Sequence, residues 1–171
     1  MRSGRGQARD AVEGASGKVP GQGQKILVVD DEKLIQRMTR FILERSQYEV
    51  HVAGDGKEAL RLARELRPDL ILLDIQLPHM DGFDVLSTLR QGAEMRRIPV
   101  VLMSSLADAG DRTHGLQLGA SEYLTKPIEN EQDFTISIQH LLKQFRMQRT
   151  IDLQNRVIHE LYRFDDKLNA I

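Results

Sequence analysis

The chain has 171 residues, 40% hydrophobic and 29% charged, with a net charge of −1 and no cysteine. These figures suit one ordinary domain plus extra segments, and they exclude disulfides, thiolate catalysis and zinc–thiolate sites. No basic surface invites nucleic acid, no apolar run nears the ~18 residues of a membrane span, and no signal-peptide core is present, so a cytoplasmic protein with neither nucleic acid nor membrane as partner is expected.

Residues 1–24 hold six of the thirteen glycines and show no period, as expected of a disordered, mildly basic leader. Order begins at "KILVV", 25–29, a short run that reads as a strand buried on both faces. Leu34, Ile35, Met38, Phe41 and Ile42 then fit the i, i+3, i+4 stripe of a first helix. "EVHVA" (49–53) is the second strand, and Ala59, Leu60, Leu62, Ala63 and Leu66 form the stripe of a second helix. "DLILL" (69–73) is the third strand, followed by a shorter helix on Phe83, Val85, Leu86 and Leu89. "IPVVLM" (98–103) is the fourth, with a helix over 108–118 stopped by Gly119, and "SEYL" (121–124) is the fifth.

No Gly or Pro occurs from 128 to 171, so the rest is expected to be helical. Ile138, Leu141, Leu142 and Phe145 give a fifth helix its inner face. Val157, Leu161, Phe164, Leu168 and Ile171 then step by 4, 3, 4, 3, a heptad-like seam. The segment "RMQRT" (146–150) interrupts the stripe, so the last residues either extend the fifth helix as a dimerising stalk or fold back. The expected organisation is a leader (1–24), a domain (25–145) and a helical extension (146–171). Strands alternating with helices predict an α/β fold, a doubly wound parallel five-stranded sheet.

Open parallel sheets bind ligands beyond the carboxyl ends of their strands. There the sequence places Asp30 and Asp31 after the first strand and Asp74 after the third, with Ser104 after the fourth and Lys126 after the fifth. Two carboxylates ~4 Å apart at an effective dielectric of ~20 repel by roughly 4 kcal/mol, so such a site holds a cation or a proton. Three carboxylates with room for water suit Mg²⁺. Asp74 can act as a nucleophile that forms an acyl-phosphate, with Mg²⁺, Lys126 and Ser104 each facing a phosphoryl oxygen. The five histidines are scattered without metal-site spacing. His159, in "VIHELYRF", resembles the phosphohistidine box of sensor kinases but lacks its proline, and is expected to face solvent.

Taken together, "ILVVDDE", "PDLILLDIQLPHMDGFDVL", "IPVVLMSSL" and "GASEYLTKPI", in this order, resemble the receiver domain of two-component response regulators over residues 25 to about 145. The resemblance implies a (βα)5 fold of strand order 2-1-3-4-5. It implies that Asp74 accepts a phosphoryl group from a histidine kinase or histidine phosphotransfer protein. Mg²⁺ would be held by Asp30, Asp31, Asp74 and the backbone carbonyl of Gln76. Ser104 and Lys126 would bind the phosphoryl oxygens, and Ser104 with Tyr123 would form a switch that changes the face of helix 4, strand 5 and helix 5. The Lys126–Pro127 bond would be cis. Gln76 and Leu106 would border the site and set the phosphate's lifetime. Chemistry would be limited to self-phosphorylation from a donor and autodephosphorylation, with output by interaction, including a homodimer through the C-terminal helix or the helix 4–strand 5–helix 5 face. Two alternatives stay open: the front part of a longer regulator with an effector domain, and a phosphorelay intermediate.

Overall fold

The computed structural model describes residues 21–105 and 108–169, with side chains up to 165. Most of the expected leader, together with Leu106, Ile171 and the side chain of Leu168, lies outside the described residues. Five strands pair in parallel: β1 (Lys25–Val29), β2 (Glu49–Ala53), β3 (Leu70–Asp74), β4 (Val100–Ser104) and β5 (Glu122–Thr125). Their order in the sheet is β2-β1-β3-β4-β5, so the chain reverses direction across the sheet between β1 and β3. The helices are α1 (Lys33–Arg45), α2 (Gly56–Leu66), α3 (Gly82–Gln91), α4 (Ala109–Gln117) and α5 (Glu131–Asn169), with a 3-10 turn at Met95–Arg97.

Alternation along each strand builds two cores. Leu27, Val29, Ile71, Leu73 and Leu102 face Ala59 and Ala63 of α2 and Val85, Leu86 and Leu89 of α3. Ile26, Val28, Leu70, Leu72 and Val101 face Ile42 and Leu43 of α1 and Phe134, Ile138 and Leu142 of α5. With helices on both sides, β1, β3 and β4 are apolar on both faces, which is why they read as continuous runs.

Two strand ends differ from the sequence reading: Asp74 and Ser104 are the last residues of β3 and β4 rather than the first residues after them. Helix α1 differs more. Leu34, Met38 and Phe41, expected on its inner stripe with Ile35 and Ile42, are 66%, 52% and 61% exposed. The buried face is Gln36, Thr39, Ile42 and Leu43. Apolar residues spread over more than half of this helix's circumference, so their spacing alone does not say which part of that arc the sheet covers. The buried Gln36 is satisfied because its side-chain amide donates to the carbonyls of Asp30 and Ala53.

Helix α5 does not fold back: it runs unbroken for 39 residues. His159 is exposed on it, as expected. Among the described residues no helix is long and apolar enough to cross a membrane.

Candidate functional site

The carboxyl ends of β1, β3, β4 and β5 meet at one edge, where the sequence put its polar residues. Asp30 follows β1 and is buried, Asp31 next to it is exposed, and Asp74 closes β3 and is buried. One carboxylate oxygen from each of the three lies within 4.8 Å of the others.

Lys126 follows β5, whose register sets Thr125 beside Ser104 of β4. The Lys126 backbone N–H donates to the Ser104 carbonyl at 2.7 Å, which anchors the lysine at the sheet edge. From there Nζ donates to Asp30 Oδ2 and Asp74 Oδ2, both at 2.8 Å. The next peptide bond, Lys126–Pro127, is cis.

Each buried acid has its second oxygen pinned by the backbone. Asp30 Oδ1 accepts from the Glu32 N–H at 2.9 Å, and Asp74 Oδ1 from the Gln76 N–H at 3.0 Å. Burial pushes the Asp74 carboxyl above the usual aspartate range, against the opposing pull of Lys126 and the Gln76 N–H, and with further help from the charge on Asp30. Burial would lower Lys126, but its two carboxylate hydrogen bonds outweigh this and raise it above the usual lysine range. One buried ammonium therefore serves two buried acids, and the exposed third adds more negative charge. Charge balance leaves this cluster short of positive charge.

Ser104 is 1% exposed and Tyr123 6%, the latter inside the α2–α3 core layer. Gln76 is exposed at the rim. The structure thus brings together Asp30, Asp31, Asp74, Lys126 and Ser104, with Tyr123 one layer beneath. Gln36 was missed by the sequence reading. Its hydrogen bond to the Asp30 carbonyl ties α1 to the acidic corner, and its only signal was a polar residue amid an apolar helix.

The loop after Asp74 is held by Gly82, whose N–H donates to the Ile75 carbonyl at 2.8 Å. A Cβ at Gly82 would sit 2.4 Å from the Asp74 carbonyl oxygen and 2.7 Å from Ile75 Cα, both backbone atoms that cannot swing aside. Gly82→Ala is therefore expected to lose about 2 kcal/mol of stability in urea unfolding. Gly54→Ala, where the nearest atom is 3.8 Å away, is the tolerated control; equal stability of the two variants would refute the close-approach account.

Comparison with known proteins gives one answer. The family model described as "Response regulator receiver domain" matches residues 26–139. The alkaline phosphatase synthesis transcriptional regulatory protein PhoP of Bacillus subtilis is 46% identical over 104 residues, 61% of this chain and 42% of that protein. Response regulator PleD of Caulobacter vibrioides is 47% identical over 106 residues, 62% of this chain and 23% of that protein. The chain thus spans less than half the length of these curated relatives. Among solved structures, the receiver domain of sensor histidine kinase PA1611 from Pseudomonas aeruginosa is 33% identical with a TM-score of 0.66. That match covers 71% of this chain and 98% of that one, and that structure carries a magnesium ion coordinated in its active-site cleft. Because PhoP is named a transcriptional regulator, the exclusion of nucleic acid that was drawn from charge finds no support here.

Proposed function

The chain belongs to the response regulator receiver domain family, and from that premise we propose that Asp74 is its phosphoacceptor, drawing on a histidine kinase or histidine phosphotransfer protein. The observation that carries the reading is Lys126 Nζ at 2.8 Å from both Asp30 and Asp74, with Asp31 beside them.

The acid cluster fits Mg²⁺. Three carboxylates supply hard oxygen ligands within 4.8 Å, and the exposed Asp31 leaves one side open to the waters this ion retains. Asp30, Asp31, Asp74 and the Gln76 backbone carbonyl would hold it, and when bound it neutralises charge developing on a transferring phosphoryl group.

The chain's own residues account for the rest. The Gln76 N–H holds Asp74 Oδ1, which leaves Oδ2 to attack phosphorus as the donor's P–N bond breaks. Lys126 already sits on Oδ2 and passes its hydrogen bond to an incoming phosphoryl oxygen. Ser104 lies at the same edge and takes another oxygen. Its movement, with Tyr123 packed inward, links the phosphoryl group to the face of α4, β5 and α5. Phosphorylation biases that face only through contacts that differ between its two states. Hydrolysis of the acyl-phosphate resets the site.

A second reading makes this receiver the input part of a longer regulator. The relatives' lengths and the helix leading out of the body favour it.

Incubation with phosphoramidate and Mg²⁺ tests the site. Intact-mass measurement is expected to show one added phosphoryl group, none after chelation with EDTA, and at least about tenfold slower labelling in Asp31→Ala at limiting Mg²⁺. Labelling that ignores EDTA would overturn the metal assignment.

A further inference from the structure

Helix α5 outlives the domain it belongs to. Every residue from Arg146 to Asp165 is exposed. A lone helix in water is held by side-chain pairs three or four residues apart. Among the described side chains of this stretch there are two such side-chain pairs, Gln148–Asp152 at 2.9 Å and Glu160–Arg163 at 3.5 Å. Instead it exposes large apolar groups, among them Met147 (57%), Leu161 (65%) and Phe164 (69%).

Helical geometry says where they point. At about 100° per residue, Phe145, Gln148, Arg149 and Asp152 share the face that lines a cleft at the base of the sheet with Arg97 and Ser121. Met147, Gln154, Val157, Ile158, Leu161 and Phe164 then centre on the opposite face. The stripe cannot fold onto its own body. Lys143 lies on the same side one turn above Met147, so the apolar seam begins at Met147.

We propose that this stripe is the interface with a second copy of the chain, in a parallel two-stranded coiled coil from Met147 downward. In a parallel pair each seam residue meets its own copy. Gln154 then meets an amide, and the residues below it meet apolar partners. Lys143 meets a like charge, which ends the seam and keeps the bodies apart. Six apolar side chains, counting Ile151, each with on the order of 100 Å² left to bury, give roughly 1,200 Å² over two chains, the low end of a specific interface. Glu160 also comes close to Asp165 of the second copy. The pair therefore forms at micromolar concentration rather than permanently. It needs no phosphoryl group on Asp74, so it stands or falls separately from that assignment.

Light scattering of the full chain over a concentration series is expected to show a monomer–dimer equilibrium. Leu161→Glu should weaken it by about 100-fold or more, while His159→Glu, on the opposite side of the helix, leaves it unchanged. The protein lacks cysteine, so Leu161→Cys carries a single thiol. Diamide is expected to take the two hydrogens from a pair of these thiols and leave a disulfide-linked dimer, because the same position of both chains meets across a parallel seam. A monomer at all concentrations, a dimer indifferent to Leu161→Glu, or a dimer whose Leu161→Cys form does not cross-link would each overturn the proposal.

Discussion

Asp74→Asn is expected to abolish phosphoryl labelling by phosphoramidate and Mg²⁺, on the order of 10³-fold or more below the parent chain, while Asp84→Asn labels normally. An amide has no carboxylate oxygen to attack phosphorus. Asp30 beside it has its two oxygens held in the same way, by the Glu32 N–H and Lys126, so the two acids differ by position, Asp74 closing the central strand β3, and Asp31 is not in contact with the lysine. Asp84 is exposed in the first turn of α3, ten residues on, and makes a fair control for surface carboxylates. Unfolding does not account for the loss. Burial raises Asp74 above the usual aspartate range, which means its ionised form is disfavoured in the fold. Neutral asparagine removes that cost, and Lys126 keeps Asp30, so the variant should be at least as stable as the parent at neutral pH without Mg²⁺. Label retained on Asp74→Asn would sink the acceptor assignment.

Lys126→Met should cost about 3 kcal/mol at neutral pH in the absence of metal. The substitution keeps the aliphatic stem and removes the charge that two buried acids share, with side chains only 8% and 4% exposed. The pH dependence identifies the cause. A carboxyl whose pKa is raised on folding stabilises the protein while protonated, and that stability is lost as pH rises through the folded value. Asp74 behaves this way already, and losing Lys126 moves it further up. The deficit against the parent is therefore smallest at acid pH, where Asp74 carries a proton, and grows toward neutrality. The parent's own lysine, raised by its two partners, keeps contributing until the pH passes its folded value, above the ordinary 10.5. Mg²⁺ recovers part of the loss by supplying the missing positive charge. Urea unfolding at several pH values, with and without Mg²⁺, measures this. A deficit constant from acid to neutral pH would mean lost packing instead.

The sheet was legible because its central strands are buried on both faces and announce themselves as unbroken apolar runs. The candidate site was legible for a related reason: Asp30 and Asp74 stand directly at the ends of those runs and Lys126 just past the edge strand β5, where backbone direction alone delivers them to a common edge. Helix α1 was not. Leu34, Met38 and Phe41 are as apolar as the residues it buries, and only the contacts of Gln36 with the ends of β1 and β2 reveal which side faces inward. Nor did residue spacing reveal that α5 continues. The polar interval at 146–150 reads equally as a turn or as a helix turned to solvent. The absence of any Gly or Pro from 128 onward allows both, and the unbroken helix Glu131–Asn169 decides it.

That continuity makes α5 a lever arm. Thirty-nine residues at 1.5 Å each make a rod about 59 Å long, of which roughly 26 Å, past Asp152, overhangs the body. Its short end is seated next to Lys126 and Pro127, and nothing along it can hinge. A tilt of ~5° at the seat would sweep the far end through ~5 Å, and a twist would arrive there undiminished in angle. The spacer is also phased: each inserted residue would turn the far end by about 100°, whereas seven bring it nearly back into line. Whatever is attached at the far end would receive a direction as well as a displacement.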